Sequence, residues 1–554
     1  MRFFLVLCLV HGPEDPGLFQ AGKRRGDMTE FNSIIARNAH IWPDKLALVD
    51  STSKKTWKEV DTRIKSLANA LLGLGLVKGD RLAIISQNCN QVVEFGYAVP
   101  RAGLIASFVN WRLLPEQIQV LINDLRPRAV VVQDEYASVM DSIRSELKGV
   151  EIFIGLGSGH RYSYDYEKLI EDSPANEPQV KVSEDALCHI VYTSGTTGWV
   201  KGACLTHRTM MARTYQETEI CCRGFQEVGL LFAVLFTVGP WYLVLSSVFV
   251  GATIVLRGAT AEDYVNALEE ERATWTTCTE IKYKRVKEYL ESSGREYNFS
   301  SLRILATGGG RNYPPWLLKE MSEFFGVPIA DKQYAGTEFG APIYLAAKDI
   351  SAGLSRSADD KAKQRLESIG KAGIFGAKVR ITDKDGNEVA PGEIGEIMVT
   401  GEGVMKEYWN NPELTRKSFR DGWYHTNDLA KTDEDGYIYF AGRLDNMIKT
   451  GGFSVYPEEV ERVIALHEAV GNVSVFGIED ETWGSAVTAA VELKEGYEAT
   501  DREIKDFCRL HLTGFQVPKD VFFLPELPWH AGQHKVSISD LKRIAKERKE
   551  RLLT

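Results

Sequence analysis

The sequence predicts an α/β protein. A large N-terminal domain of parallel-rich sheets with covering helices ends in a β-rich subdomain, and a small α+β C-terminal domain follows. Three textures predict it. From Met28 to about Ile374, short β-branched runs alternate with helical periodicity, the pattern of parallel sheets under helices. Over about 374–443, text such as "GAKVRITDKDGNEVAPGEIGEIMVTG" alternates polar and apolar residues between Asp-Gly and Pro-Gly turns, which predicts antiparallel strands. Past Arg443 a mixed α+β pattern runs on. The expected domains are therefore 28–443, with its β-rich part at about 374–443, and 444–554. Residues 1–27 stand apart as an extension.

The elements follow in order. "MRFFLVLCLV" begins like a signal peptide, but "HGPEDPG" follows and no small-residue cleavage site is clear, so Met28 is the expected start. "TWKE", Thr56 to Glu59, is a capping box. Behind it Val60, Ile64, Leu67, Ala68, Leu71 and Leu72 share one helical face. "GDRLAIIS" is a turn and a buried strand; "AVVV" (129–132), "EIFI" (151–154), "TIVL" (253–256) and "RILA" (303–306) read as further strands. "CHIVY", Cys188 to Tyr192, is a strand expected to stop at Thr193. The uncharged run Gly229 to Leu256 has the length of a bilayer span. Gly239-Pro240 is expected to break it, so a strand–helix–strand unit of an α/β core is favoured, with at most peripheral membrane contact. "GRLDN" (442–446) is a polar joint and candidate hinge, and Pro457 takes the favoured first position of a helix.

Composition narrows the function classes. The balance of 44% hydrophobic and 26% charged residues is that of a globular protein, and 554 residues give room for about three or four packing units. A net charge of −10 argues against a nucleic-acid-coating surface, so no nucleic-acid partner is expected. The eight cysteines are scattered, with no CxxC and no metal spacing, which implies a reducing, cytoplasmic setting.

The segment richest in chemistry is "YTSGTTGWVKG" (192–202). Gly195 and Gly198 let backbone N–H groups turn inward, while Thr193, Ser194, Thr196 and Thr197 add hydroxyl donors and Lys201 a positive charge. Such a cup suits a polyphosphate. It is not the Walker loop, because Lys201 is followed by Gly202 rather than Ser or Thr. Five further segments join it. "ATGGG" (306–310) follows a strand with glycines that a flat ligand can approach. "QYAGTEFG" (333–340) offers an aromatic face, a hydroxyl and a carboxylate. "GWYHTND" (422–428) ends in a carboxylate suited to a ribose diol. "GRLDNMIKTGG" (442–452) carries Arg443, and "HKVSISDLKR" (534–543) places Lys535 late in the chain.

Together and in this order, these segments resemble the adenylate-forming superfamily of AMP-forming acyl-CoA synthetases and fatty-acid–CoA ligases, carrier-protein adenylation domains and beetle luciferases. The resemblance runs along nearly the whole chain from Met28, including "MKEYWNNPELT" (405–415) and "DEDGYIYFAGR" (433–443). It implies that the C-terminal domain is mobile, swivelling about Asp445. It implies ATP, Mg²⁺ and CoA as ligands and a small-molecule carboxylic acid as substrate, in an enzyme that is cytoplasmic and a candidate homodimer. The "YTSGTTGWVKG" loop would hold the β- and γ-phosphates. Tyr334 would stack on adenine, Thr337 would lie by the α-phosphate and Glu338 would bind Mg²⁺. Asp428 and Arg443 match the ribose contacts, and Lys535 matches the lysine that bridges the acyl carboxylate and the α-phosphate. Gln333, Gly308, Gly309, Gly310 and Lys449 join the cofactor-binding residues, and Gly451, Gly452 and Phe453 belong to the stretch that meets CoA. The acid would lie among Phe236, Thr237, Gly239, Thr307, Ala335 and Gly336.

The chemistry accounts for these residue types. A carboxylate must attack the α-phosphate, anion on anion, and Lys535 with Mg²⁺ cancels that repulsion. A thiol then attacks the acyl-adenylate, which needs a different set of groups and hence the swivel. The chain departs from the family at four places: Val200 replaces a proline, Thr237 a histidine and Asn446 an acid, and His534 stands where glycine usually precedes the lysine. Counting forward from Pro528 puts His534 in the lysine's place; counting back from Leu541 puts Lys535 there, and a lysine supplies the fixed charge. These departures keep open a catalytically degenerate nucleotide-binding protein. A ligase that loads a separate carrier protein also stays open, although no carrier domain follows before Thr554; a luciferase-like oxygenase is the remotest alternative. Ala335 where the family has glycine, with bulky Phe236, Trp241 and Tyr242, predicts a pocket for a medium-chain or aromatic acid.

Overall fold

The computed structural model describes residues 29–194, 200–221, 224–307, 313–480, 482–529 and 536–553. The chain divides into two units. One runs to Val379 and resumes over Val399–Tyr424; the other holds Arg380–Met398 and the chain from His425.

Among the described residues the larger unit is built on two large sheets, with a three-stranded sheet of Asp331–Gly336, Gly340–Ala346 and Lys371–Ala372 beside them. Among the described residues the first has eight strands, with Ile105–Phe108, Arg81–Ile85, Ala129–Gln133 and Ile152–Leu156 parallel at its centre. These strands are short and β-branched because they are covered on both sides; Ala83, Ile85, Val130 and Val132 are fully buried against Ile118, Ile122 and Leu125 of the helix Pro115–Leu125. The second sheet orders Ile304–Ala306, Trp275–Thr277, Val228–Leu230, Thr253–Leu256 and Leu46–Asp50 in parallel, with Lys54–Thr56 antiparallel at the edge. The capping box forms as read: the Thr56 hydroxyl accepts from the Glu59 N–H, the Glu59 side chain from the Thr56 N–H, and Val60, Ile64, Leu67, Ala68 and Leu71 are buried on one face of Trp57–Gly73.

Two expectations are corrected. The strand expected to stop at Thr193 runs over Leu187–Ser194 and pairs antiparallel with Val200–Thr206, opposing Thr193 to Lys201. Thr193, Ser194 and Lys201 therefore belong to a ladder rather than to a loop. Gly239-Pro240 does not break the run either. The helix Val238–Val250 starts before it, so Pro240 sits in the first turn, where no intrahelical N–H bond is lost. The run is the expected strand–helix–strand unit, and no described helix is long and apolar enough to cross a membrane.

In the smaller unit, Val470–Asp480, Gly484–Leu493 and Asp520–Phe523 form a sheet against which Pro457–Ile464 and Asp501–His511 pack, burying Val460, Ile464, Ile504 and Cys508. A separate hairpin, Ile448–Thr450 with Phe453–Val455, turns on Gly451 and Gly452. Both glycines have positive φ, 54° and 85°, the backbone that a two-residue hairpin loop requires.

Candidate active site

In the larger unit the hairpin and the "QYAGTEFG" segment are joined through side chains. Glu407–Tyr408 adds to the hairpin's outer strand, Tyr408 opposite Ala203. Gly202 is required there, since a Cβ would lie 2.9 Å from Ile190 and 3.1 Å from the Trp409 Cβ. Tyr408 then donates its hydroxyl to Glu338 Oε1 at 3.0 Å and stands 3.1 Å from the Tyr424 hydroxyl. Burial, and next the Glu338 charge, push the Tyr408 phenol well above its ordinary value, so it stays a donor.

Glu338 lies in a turn between the strands Asp331–Gly336 and Gly340–Ala346, and the turn is held at successive carbonyls. Gly336 O accepts the Tyr242 hydroxyl at 3.0 Å, Thr337 O accepts Arg213 Nη2 at 2.8 Å, and Glu338 O accepts the Met405 N–H at 2.6 Å. The register slips at Ala335, which bulges outward and is exposed. Gly336 has no room for a side chain, because a Cβ would meet the Phe339 ring at 2.4 Å. That ring stacks on Tyr334, centroids 5.3 Å apart. Gln333 reaches the buried Glu217 at 3.2 Å, and Thr307 donates to Asp331 O at 3.1 Å, which brings the strand ahead of "GGG" beside this segment.

Of the residues assigned to the acid, Thr237 and Gly239 are exposed at the start of Val238–Val250, and the Thr237 hydroxyl turns back to Val234 O at 2.9 Å. Phe236 is buried edge-on to Trp111. Trp241 packs into the space above Gly96, where a Cβ would lie 2.2 Å from its ring. Gly195, Thr196, Thr197, Gly198, Gly308, Gly309, Gly310, His534 and Lys535 lie outside the described residues.

In the smaller unit Asp428 and Arg443 stand opposite each other in an antiparallel pair, with Arg443 Nη1 2.8 Å from Asp428 Oδ1. Asn427, ahead of Asp428, adopts φ 59°; its N–H is bound by Glu396, which also holds His425. Asp445 is exposed, 4.0 Å from Arg443. Glu458 is half-buried beside Gly442, where a Cβ would lie 2.6 Å from its Oε2; burial, with a contribution from Asp428, raises its carboxyl above the usual range. The Gly451-Gly452 loop is exposed beside Trp483, and Lys519 Nζ lies 4.5 Å above that ring. Phe453, 55% exposed, stacks on Phe515 at 4.5 Å. Sequence reasoning missed Arg213, Tyr408, Tyr424, Trp483 and Lys519. Tyr408 and Tyr424 lie within "MKEYWNNPELT" and "GWYHTND", but no spacing rule marks Arg213.

An antiparallel strand pair, Leu187–Ser194 with Val200–Thr206, an aromatic–hydroxyl–carboxylate turn and an Asp–Arg pair thus occur in one chain. Residues 35–409 match the family described as AMP-binding enzyme, and residues 459–531 its C-terminal domain. The chain belongs to the AMP-binding enzyme family. Among curated relatives, the feruloyl-CoA synthase of Amycolatopsis sp. is 31% identical over 522 residues, covering 93% of this chain and 98% of that one. The 2-succinylbenzoate–CoA ligase of Geobacillus sp. (strain WCH70) is 29% identical over 512 residues, 91% of this chain and 96% of that one. Among solved structures, the anthranilate CoA ligase AuaEII in complex with anthranoyl-AMP aligns with a TM-score of 0.82 at 26% identity, over 95% of this chain and 98% of that one. This family member is an AMP-forming acid–thiol ligase. It adenylates a carboxylic acid with ATP, releasing pyrophosphate, and passes the acyl group to CoA.

Proposed function

We propose that the acid is aromatic or of medium chain length, and that the residues assigned above perform the two half-reactions. Feruloyl, succinylbenzoyl and anthraniloyl ligases among the relatives support an aromatic acid. The observation that carries the site assignment is the turn at Gly336–Glu338, whose three successive carbonyls are held from three other segments. A turn so held keeps the Thr337 hydroxyl and the Glu338 carboxylate in place before substrate arrives, the condition for electrostatic stabilisation without reorganisation.

Tyr334, braced by Phe339, presents a ring for adenine, and Asp428 with Arg443 takes the ribose diol. The hairpin flanked by Thr193 and Lys201 receives the β- and γ-phosphates. Lys535 neutralises the incoming carboxylate as it attacks. The donor set fits Mg²⁺: Glu338 offers a hard oxygen, and the described residues hold no cluster of three or more His, Cys, Asp or Glu, so phosphates and water would complete the shell. Mg²⁺ when bound neutralises phosphate charge. After rotation about Asp445 the exposed Gly451-Gly452 loop, flanked by Trp483, Phe453, Phe515 and Lys519, offers CoA an aromatic and cationic face. We place the enzyme in the cytoplasm, a reading supported by the described cysteines, of which Cys188, Cys204, Cys278 and Cys508 are buried as free thiols.

The test supplies the chain from Met28 with ATP, Mg²⁺, CoA and a pool of carboxylic acids, and reads acyl-AMP and acyl-CoA by mass spectrometry. An aromatic or medium-chain acyl-CoA, with product lost in Lys535→Ala, is the expected outcome. Preference for palmitate refutes the pocket reading. Acyl-AMP that accumulates without thioester favours a carrier-protein acceptor, and ATP binding without turnover favours a degenerate member.

A further inference from the structure

Arg213 is a buried cation that enters the reading above only through its bond to Thr337 O. It lies on the helix His207–Cys221, directly after the hairpin's second strand, and is 1% exposed. It forms no ion pair among the described residues, and its Nη1 has no hydrogen-bond partner there. Its guanidinium is 5.7 Å from the Tyr242 ring centre, and the charged or titratable groups around it include Tyr242, Glu338, Cys188 and His189. Burial pulls its basicity down. Holding a cation in such a place without a contacting anion is costly, so a neutral side chain would serve packing better.

What the guanidinium does is fork. Nε donates to Gly403 O at 2.8 Å and Nη2 to Thr337 O at 2.8 Å. The loop that begins at Gly403 also sends the Met405 N–H to Glu338 O at 2.6 Å. One planar group thus ties the Thr337–Glu338 turn to a second segment that grips the turn itself. Lysine would bring a charge but not the fixed planar pair of donors.

We propose that Arg213 is a positioning residue for acyl-adenylate formation, holding Thr337 and Glu338 in register by bridging the carbonyls of Thr337 and Gly403. The proposal rests on the reading of that turn as the α-phosphate and Mg²⁺ end of the site. Arg213 acts on the turn rather than on the reacting atoms, so its loss slows adenylation and spares the thioester step.

The experiment compares the full chain with Arg213→Lys, Arg213→Met and Glu338→Gln. Pyrophosphate release is followed with ATP, Mg²⁺ and the best acid of the pool. Thioester formation is followed separately from supplied acyl-adenylate and CoA, ATP affinity by calorimetry, and folding by near-UV circular dichroism. Displacing a positioned group by about an ångström costs on the order of a hundredfold in rate. The expected result is a loss of about a hundredfold in adenylation turnover for Arg213→Met, with roughly tenfold restored in Arg213→Lys. ATP affinity, thioester formation and the spectrum stay close to wild type. Equal losses in both half-reactions, a lost near-UV spectrum in both variants, or unchanged adenylation overturns the proposal. If Glu338→Gln also leaves adenylation intact, the reading of the turn falls first and takes the proposal with it; if Glu338→Gln is dead while the Arg213 variants are not, only the proposal falls.

Discussion

A single hydroxyl shows how the site is built at the scale of the residue. Tyr408 donates to Glu338 and meets Tyr424, so the carboxylate's position depends on a side chain seventy positions away. Replacing Tyr408 by Phe removes one hydrogen bond to a charged group, worth about 1.5–3 kcal/mol. Tyr408→Phe should slow pyrophosphate release by on the order of tenfold while ATP affinity holds. Asp428→Ala should act the other way. With the ribose carboxylate and its ion pair to Arg443 gone, the KM for ATP should rise by about tenfold or more, measured in the same assay. Equal effects of the two changes on KM and turnover would show that the two residues do not divide binding and positioning in this way.

Elements decide which of these residues meet. The hairpin Leu187–Thr206 accepts Glu407–Tyr408 as an edge strand only because position 202 has no side chain. Gly202→Ala forces a Cβ against Ile190 and the backbone-fixed Cβ of Trp409, an overpacking cost of about 1–3 kcal/mol. The melting temperature should fall by several degrees, and adenylation should fall further than unfolding explains, because Tyr408 moves with that strand. The Gly451-Gly452 loop gives a contrasting case. Alanine at both positions strains two left-handed residues on an exposed face. The expected outcome is slow thioester formation with acyl-AMP still made, read by mass spectrometry of both products.

At the scale of the whole molecule, the larger unit buries His189 and His207, the first bound to Gly96 O and the second to Thr29. Burial lowers their basicity to about 4 and about 3. Both are neutral when folded near pH 6, whereas the unfolded chain takes up protons below about 6.5. Stability is therefore complete above pH 6.5 and falls as the pH drops toward 4, by roughly 1.4 kcal/mol per unit for each histidine. Urea unfolding at pH 6.5, 5 and 4 should show that slope, and His189→Gln should flatten it relative to wild type; an unchanged slope refutes the assignment.

Local chemistry in the sequence determined the element types, the capping box, the chain order of the motifs and the family. These depend on neighbours a few residues apart, and their periodicities and turn residues are printed in the chain. Even so, the end of the strand at Thr193 and the place of Gly239-Pro240 differ from the reading of the sequence, because pairing with a partner strand and burial of a helix outweigh local turn propensity. Only the tertiary structure brought Arg213 to the Thr337 carbonyl, Tyr408 to Glu338 and Lys519 to Trp483. Each of those contacts joins segments tens to more than a hundred residues apart. Nothing in the spacing of a buried arginine tells which carbonyls it will find, since that is settled by how sheets and helices pack.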